Sequence, residues 1–184
     1  MTEKEKMLAG LLYNASDDEL VSARRNCKIK IYDYNLIDPR VPDEKRTAAI
    51  KELFGSTGDR VWIEAPFHCD YGWNITVGED FYANYNLTIL DVAPVKIGKN
   101  VMCAPNVAIY TAGHPIDAAV RNSGLEFGKP ITIGDNVWIG GNVVILPGVT
   151  IGNNVVIGAG SIVAKDIPDN VVAYGNPCKV MKNI

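Results

Sequence analysis

The chain has 184 residues, of which 47% are hydrophobic and 21% charged. That is the length of one domain and the composition of a chain that buries a core, so disorder along its whole length is excluded. The formal net charge is −3 and no cluster of Lys and Arg interleaves with aromatics, which excludes the electrostatic footprint of a nucleic-acid binder and leaves small molecules as the expected partners.

The first residues read as helix. Thr2 and Glu5 have the spacing of a capping box, followed by Met7, Leu8, Leu11 and Leu12 at helical intervals. Ser16 and Glu19 repeat the capping-box form, and Leu20, Ala23, Cys27, Ile31 and Tyr34 then line one face until Pro39 stops the pattern. Pro42 suits the first turn of a third helix containing Ala48, Ala49, Ile50, Leu53 and Phe54, closed by Gly55. Residues 1–58 are therefore expected to form a small helical cap. No apolar h-region follows the first residues and no apolar run reaches the ~18 residues of a bilayer span, so neither export nor membrane insertion is expected. Cys27, Cys69, Cys103 and Cys178 lie 34 or more residues apart. They are too sparse for a zinc ribbon or a disulfide framework and read as reduced thiols of a cytoplasmic protein.

After Arg60 a six-residue period replaces the helical one. Ile133, Ile139, Ile145, Ile151, Ile157 and Val163 are spaced by six, and Val137, Val143, Val149 and Val155 follow the first four at a fixed offset. With Gly134, Gly140, Gly152 and Gly158 directly after their isoleucines, the unit is Ile-Gly-x-x-Val-x. The same phase runs through Val77, Ala83 and Ile89 and, after a two-residue insertion, through Ile97, Cys103 and Ile109. A step of six is neither a helical nor a long-strand period, so each unit is a short strand plus a corner, and three units close a triangular coil. The repeated aliphatic residues point inward and stack on equivalents 18 residues away, while Gly and the following Asn or Asp supply unusual corner angles. Such coils must stack to bury their interior. The predicted fold is a mainly β, left-handed parallel β-helix over residues 59–184 with the helical cap in front.

Between Ile109 and Ile133 the aliphatic pattern gives way to a polar excursion over residues 111–129. An insertion in a repeat protein maps to a loop, and such loops commonly carry a binding site. His114, one of only two histidines, begins it. It is the one loop residue that can lose and regain a proton near pH 7, as activation of a hydroxyl requires, although a histidine before Pro115 could also simply bridge a turn. The other, His68, reads as structural.

These repeats resemble the hexapeptide acyltransferases. The run Met7 to Tyr13, the Phe81-Tyr82-Ala83-Asn84-Tyr85-Asn86 segment, Thr111-Ala112-Gly113-His114-Pro115 and the exit Gly175-Asn176-Pro177-Cys178-Lys179 resemble the maltose and galactoside O-acetyltransferases in particular. The resemblance covers nearly the whole chain. It implies a homotrimer with active sites between neighbouring subunits, acetyl-CoA as donor and a sugar hydroxyl as acceptor, with the 6-hydroxyl of maltose, glucose or a related sugar favoured. No metal is implied.

Residue by residue, the resemblance implies His114 as general base and Asn84 as the amide that fixes the hydroxyl and helps the developing oxyanion, although Asn is also an ordinary corner residue. It implies Asp70 and Asp91 as sugar ligands, with serine at the first position in the galactoside branch. Glu126 would orient His114 or accept a sugar hydroxyl. An acid of the galactoside branch aligns with Ala15, so Asn14 or Asp17 stands in for it. For the donor, Trp138 would cover the pantetheine arm, with Ala104, Gly141, Ala159, Ala164 and Lys165 along coenzyme A and Lys179 and Lys182 at its phosphates. Two other readings stay open: a xenobiotic acetyltransferase, which usually lacks such a cap, and a non-catalytic sugar-binding β-helix. A carbonic-anhydrase-type site would need three histidines on one metal, and two cannot supply it.

Overall fold

The computed structural model describes residues 1–184. Helix α1 (Glu3–Leu8) starts on the expected capping box, Thr2 and Glu5 each bonding the other's backbone N–H. It ends sooner than the apolar spacing suggests. Leu11 and Leu12 lie beyond it and are exposed, because Gly10 turns the chain at φ +70°. Helix α2 (Asp18–Asn35) is capped by Asp17 rather than Ser16, its carboxylate accepting the N–H of Glu19, and it stops short of Pro39. Helix α3 (Asp43–Leu53) begins just after Pro42, which is the cap residue and lies outside the first turn. No helix is long and apolar enough to cross a membrane.

From Val61 the chain winds through three parallel sheets in turn, making a triangular prism. The strands Ile75–Val77, Val95–Ile97, Ile131–Ile133 and Thr150–Ile151 stack as one four-stranded sheet. The second sheet is seven-stranded. It takes Val61–Ile63, Phe81–Ala83, Met102–Cys103, Trp138–Ile139 and Val156–Ile157, and ends in the hairpin Val171–Tyr174 and Lys179–Asn183. The third is five-stranded: His68–Cys69, Thr88–Leu90, Ala108–Tyr110, Val144–Ile145 and Ile162–Val163. Ile133 pairs with Ile151, Ile139 with Ile157 and Ile145 with Val163, so inward residues stack 18 apart as the period requires. The result is a continuous core of 36 buried residues, into which α2 and α3 insert Cys27, Ile31, Tyr34, Ile50 and Leu53.

The corners correct one sequence expectation. The left-handed backbone falls on Asn, as at Asn136 (φ 56°), Asn142 and Asn154, while the glycines that follow the isoleucines keep ordinary angles. Those glycines are required by close stacking instead. A Cβ on Gly140 would sit 2.5 Å from the Ala159 nitrogen of the next coil, and one on Gly134 2.8 Å from the Gly152 carbonyl carbon. The asparagines are also joined side chain to side chain from coil to coil, Asn86 to Asn106 at 2.9 Å and Asn106 to Asn142 at 3.1 Å.

The 111–129 excursion is an ordered hairpin. The Lys129 N–H donates to the Thr111 carbonyl at 2.9 Å and closes its base. Ala112–Gly113 pairs with Leu125–Gly128, and between them lies the short helix α4 (Ala118–Asn122). Leu125–Gly128 pairs on its other side with Tyr13–Asn14 of the cap. The cap is thus stitched to the loop through a three-stranded sheet.

Candidate active site

His114 directly follows the strand Ala112–Gly113, so the small sheet fixes its Cα. Its ring is 56% exposed, and its Nε2 stands 3.7 Å from Oε2 of Glu126, which is only 15% exposed. That distance is too long for a hydrogen bond but short enough for the carboxylate to stabilise an imidazolium. The other Glu126 oxygen accepts the phenolic hydrogen of Tyr13. Tyr13 is fully buried beside Met7, Leu20, Tyr71 and Val92, and burial, followed by the Glu126 hydrogen bond, raises its pKa. It therefore stays a proton donor at ordinary pH.

Asp70 lies at the same corner of the prism, just after His68–Cys69, on the exit side of the five-stranded sheet. Its carboxyl pKa is raised by burial and, less, by the charge of Glu126, while Arg24 opposes the shift. Arg24 donates to the Tyr71 hydroxyl at 2.7 Å and to the Ala15 carbonyl at 2.6 Å, tying α2 to this corner. Beside Asp70 opens a groove of about 440 Å³ whose lining includes Lys28, Tyr32, Leu36, His68 and Leu90. His68 is exposed on this outer face.

Three of the expected acceptor ligands are otherwise engaged. Asp91 is fully buried, and its Oδ1 accepts the backbone N–H groups of Asp70 and Tyr71, both at 2.9 Å, while Oδ2 is enclosed without a partner. It holds the Asp70 turn from behind. Asn14 accepts the Ser16 N–H at 3.0 Å, and Asp17 is spent on the cap of α2.

Asn84 and the donor-side residues sit elsewhere. Asn84, Ala104, Gly141 and Ala159 follow strands of the seven-stranded sheet and line the corner that leads into the five-stranded one. The Asn84 amide oxygen accepts the Tyr85 N–H at 2.7 Å. Along the adjacent sheet face Trp62, Tyr82, Met102, Trp138 and Val156 stand in register as an outward apolar ladder. Met102 and Trp138 are each about half exposed, at 51% and 52%. Lys179 and Lys182 are exposed on the last strand of this sheet. Ala164 and Lys165 follow Ile162–Val163 at the Asp70 corner but several coils away. The structure therefore brings His114, Glu126 and Asp70 to one corner and places Asn84 with Ala104, Gly141 and Ala159 at another.

Against known families, residues 6–58 match the maltose acetyltransferase hexapeptide capping motif, and residues 130–165 match the bacterial transferase hexapeptide (six repeats). The galactoside O-acetyltransferase of Escherichia coli is 50% identical over 184 residues, covering 100% of this chain and 90% of that protein. The chain belongs to the maltose and galactoside O-acetyltransferase family. The crystal structure of a maltose O-acetyltransferase from Clostridium difficile is 58% identical and superposes with a TM-score of 0.98, over 100% of this chain and 98% of that one. A galactoside acetyltransferase in complex with coenzyme A is 49% identical with a TM-score of 0.96, over 100% and 92% of the two chains. As a member of this family, the chain is an acetyl-CoA-dependent O-acetyltransferase.

Around the His114 corner, Tyr13, Arg24 and Tyr71 escape a reading of the sequence. Each acts over a long separation, such as the 113 positions between Tyr13 and Glu126, and no local pattern marks them. The only available signal is the polar end of Tyr13 in an otherwise apolar run, which calls for a buried partner.

Proposed function

We propose that the chain transfers the acetyl group of acetyl-CoA to a primary sugar hydroxyl, the 6-hydroxyl of maltose, glucose or a related sugar, by direct attack in a ternary complex. The observation that carries this reading is the meeting of His114 with Glu126 on a loop held rigidly at its base. A sugar hydroxyl is too weak an acid to ionise at pH 7, so its proton must leave as the oxygen attacks. His114 takes that proton, the new C–O bond forms at the thioester carbonyl, and the imidazolium is met by the Glu126 carboxylate. The tetrahedral oxyanion is stabilised by backbone N–H groups and the Asn84 amide. As the C–S bond breaks, His114 returns the proton to the departing thiolate, leaving the acetyl ester and coenzyme A.

Asp70 and the groove beside it offer hydroxyl acceptors and room for a second ring, which supports a short sugar as acceptor. Asp91 contributes by holding the Asp70 turn. The separation of His114 and Asn84 on two corners supports a homotrimer in which neighbouring chains complete each site, and an outward aromatic ladder suits the pantetheine arm or the neighbouring chain. In this reading residues 1–58 are a cap domain, residues 59–184 the catalytic coil, and the cytoplasm the compartment in which four free cysteines stay reduced. No metal enters any step.

The test is initial-rate thiol release from acetyl-CoA with maltose, glucose, a galactoside and chloramphenicol. Release stimulated by the sugars, with intersecting double-reciprocal lines, is the expected result. Stimulation by chloramphenicol alone would point to the xenobiotic class. Parallel lines with an acetylated protein would replace direct transfer by a covalent intermediate.

A further inference from the structure

The cap does more than cover the coil. Tyr13 is fully buried, its backbone is paired in register with Glu126, and its phenol is the hydrogen-bond partner of that carboxylate. The opposite carboxylate oxygen is the one that faces His114 at 3.7 Å. One end of the Glu126 side chain is therefore tethered while the other confronts the ring. An untethered glutamate would lose this orientation to its own rotamer freedom. The charge of Asp70 acts across the corner on this carboxylate, and Arg24 on α2, whose charge reaches Asp70 and Tyr13, is already committed to Tyr71 and Ala15.

We propose that Tyr13 is a positioning residue of acetyl transfer, which through Glu126 holds a fixed negative charge against His114. This rests on His114 being the base. When the acceptor proton arrives on His114, the ring becomes cationic 3.7 Å from an oxygen that the tether keeps in place. The proton then passes to the leaving sulfur, and neither Tyr13 nor Glu126 exchanges one. The helical cap is thereby coupled to the chemistry. Displacing the strand Tyr13–Asn14 releases Glu126 as surely as removing the phenol does.

The experiment compares Tyr13→Phe, Glu126→Gln and the double variant with wild type, using acetyl-CoA and maltose. It measures kcat and KM for both substrates and the melting temperature. The expected result is a fall in kcat of about tenfold or more in each single variant with KM for acetyl-CoA unchanged. The double variant falls little below the singles, since both changes break one device. A role in packing alone lowers the melting temperature, leaves kcat of the folded variants within a few-fold of wild type and makes the losses additive, and that result overturns the proposal. If Tyr13→Phe does not fold, Glu126→Gln carries the test, and a kcat there within a few-fold of wild type is equally decisive. Loss of activity in His114→Ala with wild-type behaviour in both single variants removes this inference alone, whereas an active His114→Ala removes the reading beneath it.

Discussion

Asp91 holds the backbone of Asp70: one carboxylate oxygen accepts the N–H groups of Asp70 and Tyr71, both at 2.9 Å, inside a corner with no exposure to solvent. Truncation to Asp91→Ala leaves two buried donors unpaired, at about 1 to 3 kcal/mol for each. We expect a loss of roughly 2 to 5 kcal/mol in chemical denaturation and a raised KM for the sugar with little change in KM for acetyl-CoA.

The same residue gives stability a pH dependence. Burial pushes the Asp91 carboxyl up to about 6, against about 3.9 for an ordinary Asp. A raised carboxyl pKa means that the folded protein keeps a proton which the unfolded chain releases. Stability is therefore greatest below about pH 4 and declines as pH rises to about 6, by roughly 3 kcal/mol from this group. Asp91→Asn removes the titration while keeping an acceptor for the two amides. Denaturation at pH 4.5 and 7 should show the wild type losing more stability than the variant over that interval; equal losses would contradict the assignment.

Close stacking of the coils predicts which small residues are indispensable. Gly140→Ala places a methyl group 2.5 Å from the Ala159 backbone nitrogen, a clash that no rotamer relieves. Ile139→Ala empties a fully buried position between Cys103 and Ile157 and should cost about 2 to 5 kcal/mol. Thermal unfolding of the two variants, set against a change at exposed Ile116, should lower the midpoint in both and leave it nearly unchanged in the third.

The coil is legible in the sequence because its period is local: Ile139 and Ile157 announce their own positions, and the Asn corners announce theirs. The cap is legible for the same reason, since capping residues act within three or four positions, although Asp17 displaces Ser16 once both compete for the same N–H groups. What the site does is less local. His114 and Glu126 can be placed in one loop from the sequence, but their meeting depends on Ala112–Gly113 folding back on Leu125–Gly128, and the Tyr13 contact depends on a strand from the far end of the chain. The burial of Asp91 and its two bonds to the Asp70 turn are equally illegible, because they depend on a segment 20 positions away.

The two-corner arrangement predicts complementation. Asn84→Ala chains retain His114, and His114→Ala chains retain Asn84. If neighbouring chains complete each site, mixed refolding of the two impaired variants restores roughly a quarter of wild-type activity for random trimers. Mixtures no more active than their parents would place both residues in a site within one chain.

The role of His114 is tested most directly by sugar-dependent thiol release in His114→Ala, alongside calorimetric binding of acetyl-CoA to the same protein. The account predicts undiminished acetyl-CoA binding with turnover reduced by about 10² or more, the usual scale of a general base. Turnover within a few-fold of wild type would contradict it and return the proton transfer to another group.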